Sequence, residues 1–348
     1  MNSLSLALPR FEHIDVRETE EAAYWLHKYG DRAKIIAGAT DLLSLMKDRV
    51  YGPKLKIPEV LINVKTITKL NILTYHEEEG LRIGAAVRLN RVVTSPIIEK
   101  RVSLLSQAAG EVGTTQLRNM GTLGGNLCQR PRCIYFRNPH FLCRKKGGDI
   151  CYALTGEHRD YYSIMDIGRC VIANPSDMAS ALVALKAKAI ITSPEGEKKI
   201  PIEDFFLGPN DLHETVLKQD ELLTEIRIPG QKRNTYQAFL KQRIKPSAAF
   251  ALTSVAVVAR IWDEICQEIR IVLGGIAPYP YIFAGGEEML QGKRLSEELI
   301  TTVSEASVKG ARPLPMNGYK VNLMKATVRQ ILSSVRQASL IKGSENTS

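Results

Sequence analysis

The feature that most restricts how this chain folds is a cluster of cysteines in one irregular stretch. Five of the six cysteines lie between residues 128 and 170 of a chain of 348 residues. They are Cys128, Cys133, Cys143, Cys151 and Cys170, with gaps of 4, 9, 7 and 18 residues between neighbours. Thiols gathered in this way occur in disulfide-bonded proteins, in zinc sites and around iron–sulfur clusters.

The spacing of the cysteines helps to separate these possibilities. Structural zinc sites usually show paired C-x2-C motifs, and this chain contains no CxxC. Disulfides need an oxidising compartment and leave one of five thiols without a partner. A four-iron cluster needs four thiolates from loops, which Cys133, Cys143, Cys151 and Cys170 supply. The pattern favours an iron–sulfur cluster, while zinc and disulfides stay open.

Length and charge limit the remaining classes of protein. A chain of 348 residues exceeds the size of a single core, so two domains are expected. No apolar run reaches the roughly 18–20 residues that cross a membrane, and the N-terminal residues show no export signal. We therefore expect a cytoplasmic protein with reduced thiols. The net charge is +10, but no run of five basic residues occurs, so no nucleic-acid partner is expected.

The cysteine stretch is itself basic. Residues 128–170 carry eight lysines and arginines against four carboxylates. Positive surroundings lower the pKa of thiols and offset the negative charge of a four-thiolate cluster. On an exposed surface, the same charges would also attract an acidic, ferredoxin-like one-electron carrier.

The rest of the chain shows an α+β pattern of short strands and helices. Apolar and amphipathic periodicities predict strands at 34–37, 59–64, 80–85, 188–193, 198–202 and 221–228, and helices at 17–29 and 178–187. Pro229-Gly230, followed by polar residues, marks a domain boundary. Beyond it we expect three strands within 236–276, then helices near 296–310 and 320–341. A polar tail over residues 342–348 is expected to be disordered.

Two glycine-rich turns indicate a second site. The first, at residues 38–41 (GATD), follows a strand and precedes a helix, where backbone N–H groups suit a phosphate. Asp41 fits beside an anion only as a cap of the helix that follows. The second, at residues 121–126 (GTLGGN), permits close approach of another backbone. No GxGxxG or GxxxxGK[ST] motif is present, so neither a Rossmann site nor a P-loop is predicted.

Taken together, these features resemble the FAD-binding medium subunits of the molybdenum hydroxylases, a family that includes xanthine dehydrogenase and carbon monoxide dehydrogenase. The match extends from Leu8 to the C-terminal helices. The motifs that carry it are IIAGATDLL (35–43), RNMGTLGGN (118–126), NPSDMASAL (174–182), ELLTEIRIP (221–229) and FLKQR (239–243). The resemblance implies a two-part FAD-binding domain of the PCMH/vanillyl-alcohol-oxidase-like type over 1–229. A smaller C-terminal α+β domain, a three-stranded sheet plus helices, would occupy 235–341.

The resemblance also implies which residues contact FAD. Two stretches would wrap the pyrophosphate: Ile35, Ile36, Ala37, Gly38, Ala39, Thr40, Asp41 and Leu42 on one side, and Thr122, Leu123, Gly124, Gly125 and Asn126 on the other. Val112 would lie against the cofactor and Asp177 would contact its polar portion. Leu223 would pack beside the isoalloxazine, and Lys241 would lie near its exposed edge. No residue of this chain is predicted to be catalytic.

Residues 127–173 are an insertion relative to most medium subunits of this family. The insertion resembles that of the periplasmic aldehyde oxidoreductase and 4-hydroxybenzoyl-CoA reductase medium subunits, which hold an additional [4Fe-4S] cluster. The resemblance implies Cys133, Cys143, Cys151 and Cys170 as ligands. Cys128 is then left unassigned.

The implied function is electron transfer within a complex. A large molybdopterin subunit would react with an aldehyde, an aromatic acyl-CoA or an N-heterocycle, and a small subunit with two [2Fe-2S] clusters would exchange electrons with FAD in this chain. An external carrier, a ferredoxin among the candidates, would complete the electron-transfer path. If a partner subunit carries an export signal, the complex would be periplasmic instead. Two other readings stay open: a self-contained flavin oxidase of the same fold, and a zinc-stabilised binding module.

Overall fold

Three β-sheets form the framework of the computed structural model, which describes residues 7–246 and 248–345. In chain order the strands are β1 (Glu12–Asp15), β2 (Ala33–Ile36), β3 (Val60–Asn63), β4 (Leu73–His76), β5 (Gly80–Gly84), β6 (Lys188–Ser193), β7 (Gly196–Pro201), β8 (Leu222–Ile228), β9 (Thr235–Gln242), β10 (Thr253–Trp262), β11 (Ile265–Gly274) and β12 (Tyr281–Ile282). The helices are α1 (Thr19–Tyr29), α2 (Leu42–Lys47), α3 (Leu89–Val93), α4 (Pro96–Arg101), α5 (Ser103–Gly110), α6 (Thr115–Met120), α7 (Leu123–Leu127), α8 (Ile134–Arg137), α9 (Asp177–Ala184), α10 (Ala284–Leu290), α11 (Glu297–Ala306) and α12 (Tyr319–Glu345). The predicted α+β class is confirmed.

The N-terminal sheet positions the first glycine turn. Its strands are parallel in the order β1-β3-β2. The central strand β3 has the sequence VLIN and is buried along its whole length, as expected of a parallel strand covered on both faces. Helix α1 has acids in its first turn and ends at Gly30, whose φ of 55° suits a residue without a side chain. The turn at residues 38–41 then leaves the carboxyl end of β2 and leads into α2.

The central sheet carries the largest hydrophobic core. Its antiparallel strands run in the order β4-β5-β8-β6-β7. Helices α5 and α9 contribute buried leucines and alanines to the same core. Between β5 and β6 the chain makes a long excursion that contains α3 to α9. The second glycine turn and all five clustered cysteines lie on this excursion.

The C-terminal sheet has four antiparallel strands in the order β12-β11-β10-β9. Helices α10 and α12 contact the sheet and α11 packs against both helices, while α5 and α9 of the preceding part contact the same sheet. The sequence predicts three strands here, and the two-residue β12 is too short to leave a periodic signal. Helix α12 continues to Glu345, so residues 342–345 are helical and not a disordered tail; the rest of that predicted tail, 346–348, lies outside the described residues.

The cysteine segment has little regular structure and depends on other parts of the chain. Between α7 and α9 it contains α8 and short 3-10 turns. The ammonium group of Lys320, fully buried at the start of α12, donates hydrogen bonds to the carbonyl oxygens of Asp160 (3.0 Å) and Tyr162 (2.9 Å). The C-terminal part therefore holds the second half of this segment in place. Within the described residues, no helix is both long and apolar enough to span a bilayer.

Candidate functional site: a glycine-turn cleft beside a cysteine cavity

A cleft of about 760 Å3 opens between the loop after β2, the start of α7 and the loop before β8. We call it the glycine-turn cleft, because the first turn and part of the second line it. All eight residues from Ile35 to Leu42 line its wall. From the second turn only Thr122, Gly124 and Gly125 do so, and Leu223 lines the wall from β8.

The two glycine turns touch each other backbone to backbone. A Cβ atom on Gly38 would lie 2.3 Å from the carbonyl oxygen of Met120 and 2.7 Å from the Cα atom of Gly121. No side chain fits in that space, which is why a glycine is needed at residue 38. Ala39, the next residue, adopts the left-handed conformation with φ of 63°. Such strain in a non-glycine residue is typical of functional turns.

The first turn leaves its backbone donors available. Within the described residues, the N–H groups of residues 38–42 have no hydrogen-bond acceptor. Five unpaired donors at the start of a helix form a concave site for an anion. The turn can therefore bind a phosphate group through backbone atoms alone.

The backbone donors of the second turn are already hydrogen-bonded to other groups of the protein. The N–H groups of Leu123 and Gly124 donate to the carbonyl oxygens of Val87 and Ala85, and that of Gly125 donates to the Thr122 hydroxyl. Leu123 is buried in the core and does not line the cleft. Asn126 also faces away, because its side-chain oxygen accepts a hydrogen bond from the Ser176 hydroxyl at 2.6 Å. This turn shapes the cleft and holds the first turn in place.

Asp41 does not cap α2, contrary to the expectation from the sequence. Its carboxylate accepts hydrogen bonds from the backbone N–H of Arg130 (2.8 Å) and from the guanidinium of Arg137 (2.5 Å), and it pairs with Arg132 at 2.8 Å. Burial alone would raise the pKa of Asp41, but Arg132 and Arg137 outweigh burial and lower it. Asp41 therefore fastens the first glycine turn to the cysteine segment.

Arg130 is a residue of the cleft that the sequence patterns do not single out. It lines the wall, stacks over the Phe136 ring at 4.9 Å and forms an ion pair with Glu214 at 2.7 Å. Its Nη2 atom is buried and has no hydrogen-bond partner among the described residues. This unpaired donor suits an anionic ligand. Lys34, Lys56, Gln129 and the loop at 213–219 also line the cleft, and no motif in the sequence marks them.

Val112, Asp177 and Lys241 lie outside the lining of the cleft. Lys241 Nζ is 2.6 Å from Asp177 Oδ2 and also donates to the carbonyl of Glu111, the neighbour of Val112. Burial raises the pKa of Asp177, and the ammonium of Lys241 opposes this shift. Asp177 and Lys241 thus form a buried ion pair, and Val112 follows the residue whose carbonyl accepts from Lys241. Their contact with a cofactor stays a prediction.

Four of the five clustered cysteines meet at one small cavity. Cys133, Cys143, Cys151 and Cys170 all line it, together with Tyr135, Tyr152 and Tyr162; we call it the cysteine cavity. With these side chains as thiols it measures about 10 Å3, the room of one water. Cys128 instead lines the glycine-turn cleft, where burial raises the pKa of its thiol to about 12.

The four cavity thiols differ in their surroundings. A hydrogen bond from Cys170 lowers the pKa of Cys151, and that bond together with burial raises the pKa of Cys170. Burial also raises the pKa of Cys133 and Cys143, although the charge of Lys146 opposes the shift at Cys143. As the side chains stand, no three histidine, cysteine or carboxylate groups in the described part of the chain are arranged to hold a single metal ion.

Most of the basic residues of the cysteine segment point inward. Lys145 and Lys146 are buried, and the side chains of Arg130, Arg132 and Arg137 are at most 18% exposed. Their charges face the cavity thiols, Asp41 and Glu214. The expectation of a basic outer surface is therefore not met. The side chains that this segment exposes include the apolar Ile134, Leu142, Ile150 and Leu154.

Comparison with known proteins identifies the family. Residues 9–231 match the FAD binding domain in molybdopterin dehydrogenase, and residues 238–335 match the CO dehydrogenase flavoprotein C-terminal domain. The aldehyde oxidoreductase FAD-binding subunit PaoB of Escherichia coli (strain K12) is 33% identical over 309 residues, covering 87% of this chain and 92% of PaoB. The carbon monoxide dehydrogenase medium chain of Hydrogenophaga pseudoflava is 29% identical over 307 residues, covering 88% of each chain.

Solved structures agree with this assignment. Carbon monoxide dehydrogenase from Hydrogenophaga pseudoflava, in a form that lacks the Mo-pyranopterin moiety of its cofactor, matches with a TM-score of 0.76 and 26% identity. The match covers 96% of this chain and 99% of the other. The chain therefore belongs to the FAD-binding subunits of the molybdopterin dehydrogenases, which are molybdenum hydroxylase-type oxidoreductases.

Proposed function

We propose that this chain transfers electrons within a molybdopterin-dependent complex, with FAD in the glycine-turn cleft and a [4Fe-4S] cluster in the cysteine cavity. The observation that carries the cluster assignment is the division of the cysteines. Cys133, Cys143, Cys151 and Cys170 line one cavity, whereas Cys128 lines the cleft. This is the ligand set that the family resemblance implies.

The residues around the cysteine cavity fit a cluster better than a single ion. Four thiols and no histidine or carboxylate line it, which is the usual donor set of iron–sulfur clusters. The inward-facing Lys145 and Lys146 offset the negative charge that four thiolates bring. Cys133, Cys143, Cys151 and Cys170 would hold such a cluster, which would supply one-electron transfer at this site.

The residues around the cleft fit FAD. The unpaired N–H groups of residues 38–42 and the free Nη2 atom of Arg130 supply donors for its pyrophosphate. The cleft volume of about 760 Å3 lies in the range of cofactor sites. We keep Leu223 as a contact of the isoalloxazine, since it lines the cleft. We propose that the buried Asp177–Lys241 ion pair and the neighbouring Val112 support the isoalloxazine end of FAD.

The chain's own residues bind, orient and shield the cofactors. Bound FAD supplies the exchange between one-electron and two-electron carriers, and a bound cluster supplies one-electron transfer. Asp41 holds the first glycine turn against the cysteine segment, so the two sites keep a fixed relation. Tyr135, Tyr152 and Tyr162 shield the cavity from water.

The relatives suggest the rest of the complex. They are described as an aldehyde oxidoreductase FAD-binding subunit, a carbon monoxide dehydrogenase medium chain and a nicotinate dehydrogenase FAD-subunit. We infer a large molybdopterin subunit that takes an aldehyde, an aromatic acyl-CoA or an N-heterocycle, and a small subunit with two [2Fe-2S] clusters. Within this chain we propose an FAD domain at 1–229 with the cluster insertion at 127–173, and a C-terminal domain at 235–341.

The external carrier and the compartment are further parts of the proposal. Cluster assembly needs reduced thiols, so we place it in the cytoplasm; export with a partner that carries a signal is the alternative. An acidic ferredoxin would be attracted by positive charge on the surface, but five of the eight cations of the segment point inward. We therefore expect electron exchange with a protein carrier to depend only weakly on salt concentration.

Metal and flavin analysis of anaerobically purified complex tests the proposal. For each set of three subunits we expect one FAD, eight irons and eight labile sulfides, of which the two [2Fe-2S] clusters of the small subunit supply four irons and four sulfides and this chain supplies the other four of each. Replacing Cys133, Cys143, Cys151 or Cys170 singly by serine should lower the iron count from eight to four and weaken the broad absorption near 400 nm. Cys128→Ser and Cys266→Ser are matched controls, since neither thiol lines the cysteine cavity. Zinc in place of the four irons assigned to this chain, or loss of those irons in Cys128→Ser, would refute the ligand assignment.

A further inference from the structure

One loop separates the two sites. Residues 207–217, which we call the shared wall, line the glycine-turn cleft with Leu207 and with residues 213–217. On its other side the wall contacts the cysteine segment, where the carbonyl of Pro209 accepts a hydrogen bond from the backbone N–H of Cys170 at 3.2 Å. This loop therefore lines the cleft and contacts a cysteine of the cavity.

Glu214 lies in the middle of the shared wall between two cations. Its Oε2 atom is 2.7 Å from Arg130 Nε, on the cleft side, and its Oε1 atom is 3.1 Å from Lys145 Nζ, on the cavity side. Arg130 lines the cleft and Lys145 lines the cysteine cavity. The side chains of Glu214 and Lys145 are only 8% and 2% exposed. Solvent therefore screens these charges weakly.

Lys145 is fixed independently of Glu214. Its ammonium group also donates to the carbonyl oxygens of Asp211 at 2.8 Å and His213 at 3.2 Å, both on the shared wall. Lys145 also lines the cysteine cavity, so its positive charge lies beside the four thiols. A change of charge at Glu214 therefore changes the field in both sites while Lys145 keeps its place.

We propose that Glu214 is a positioning residue that couples the two cofactors electrostatically through its ion pairs with Arg130 and Lys145. This inference rests on the proposed cluster in the cysteine cavity. Adding an electron to either cofactor adds negative charge beside the shared wall. The carboxylate of Glu214 opposes that charge on both sides, and the two cations favour it. Glu214 thus keeps both midpoint potentials lower than the two cations alone would set them.

The test compares two carboxylates of the same cleft. Glu221 also lines the cleft and is buried, but it pairs with Lys198 at 2.6 Å and has no contact with the cysteine cavity. Midpoint potentials of the flavin and the cluster are measured on the whole complex by redox titration, with optical and EPR detection. We expect Glu214→Gln to shift both potentials upward and Glu221→Gln to shift only that of the flavin. Glu214→Asp, which keeps the charge, should stay close to the wild type.

An unmoved cluster potential in Glu214→Gln, or equal cluster shifts in Glu214→Gln and Glu221→Gln, would overturn the inference and leave the cluster assignment intact. A wild-type complex with only the four irons and four sulfides of the small subunit would overturn the assignment and the coupling together. Lys145→Gln provides a second measurement in case Glu214→Gln does not fold. Removing that cation should lower the cluster potential, and an unchanged value would also overturn the coupling.

Discussion

The glycine-turn cleft and the cysteine cavity lie on two sides of one loop but are built in different ways. The cleft presents backbone atoms of one contiguous stretch, residues 35–42. The cavity presents side chains spread from Cys133 to Cys170, and its walls are held by groups as distant as Lys320. A backbone site depends on the shape of a few turns. A side-chain site depends on long-range contacts that must all form first.

This difference predicts how each site responds to mutation. The cleft should fail when the contact between its two turns, or the attachment of the first turn to the cysteine segment, is broken. The cavity should fail when a ligand or a distant support is removed. Four variants, ordered from the largest expected effect to the smallest, test this contrast.

Gly38→Val should have the largest effect. Its side chain would collide with the backbone of Met120 and Gly121, which no rotamer change relieves. We expect the free energy of unfolding to fall by more than about 4 kcal/mol and bound FAD to be lost. Gly110→Ala is the control, because nothing lies within 4 Å of that position in α5. Denaturant unfolding and flavin content measure both, and full FAD content in Gly38→Val would refute the backbone account of the cleft.

Asp41→Asn should weaken the attachment of the first glycine turn to the cysteine segment. It leaves the guanidinium groups of Arg132 and Arg137, whose side chains are 18% and 14% exposed, without a carboxylate, a change that costs about 3 kcal/mol. We expect weaker FAD retention together with faster proteolysis of the cysteine segment. Asp48→Asn, an exposed carboxylate near the same helix, should change stability by less than about 0.5 kcal/mol. Equal effects of the two variants would contradict the fastening role of Asp41.

Lys320, which holds the cysteine segment in place, should make the free energy of unfolding depend on pH. Burial lowers the pKa of Lys320 to about 7, from 10.5 in the unfolded chain. Between these values the unfolded chain binds more protons, so Lys320 makes the free energy of unfolding rise with pH, by up to about 1.4 kcal/mol per unit. Lys320→Met should lack this rise.

Denaturant unfolding at pH 7.5 and pH 9.5 compares the two proteins. Lys325→Met serves as the control because Lys325 lies on the same helix as Lys320 but pairs with the exposed Glu305 of α11. It should keep the wild-type pH profile. Parallel profiles for Lys320→Met and the wild type would show that Lys320 does not titrate in this range.

Tyr162→Phe should have the smallest effect. The Tyr162 hydroxyl accepts a hydrogen bond from the backbone N–H of Ile134 and donates one to Cys133 Sγ at 3.6 Å. Loss of this donor should cost about 1 kcal/mol or less and shift the cluster potential downward. Tyr279→Phe, whose hydroxyl bonds Asp166 outside the cavity, is the control. An upward shift in Tyr162→Phe would contradict the hydrogen bond to the sulfur.

The sequence predicts much of this molecule, because its strongest patterns are local. The α+β class, the family and the position of the first glycine turn follow from contiguous motifs. Three features escape prediction, since they depend on contacts far along the chain: the role of Asp41 as a partner of Arg132 and Arg137, the inward direction of Lys145 and Lys146, and the shared wall at 207–217. The two-residue strand β12 escapes because it is too short to show a period.

The most direct test of the two-site account is anomalous diffraction at the iron edge from anaerobically grown crystals of the complex. The account predicts four iron atoms of this chain within the cavity lined by Cys133, Cys143, Cys151 and Cys170, and FAD density against residues 38–42. Iron bonded to Cys128, a single zinc ion among these cysteines, or no metal in this chain would contradict it.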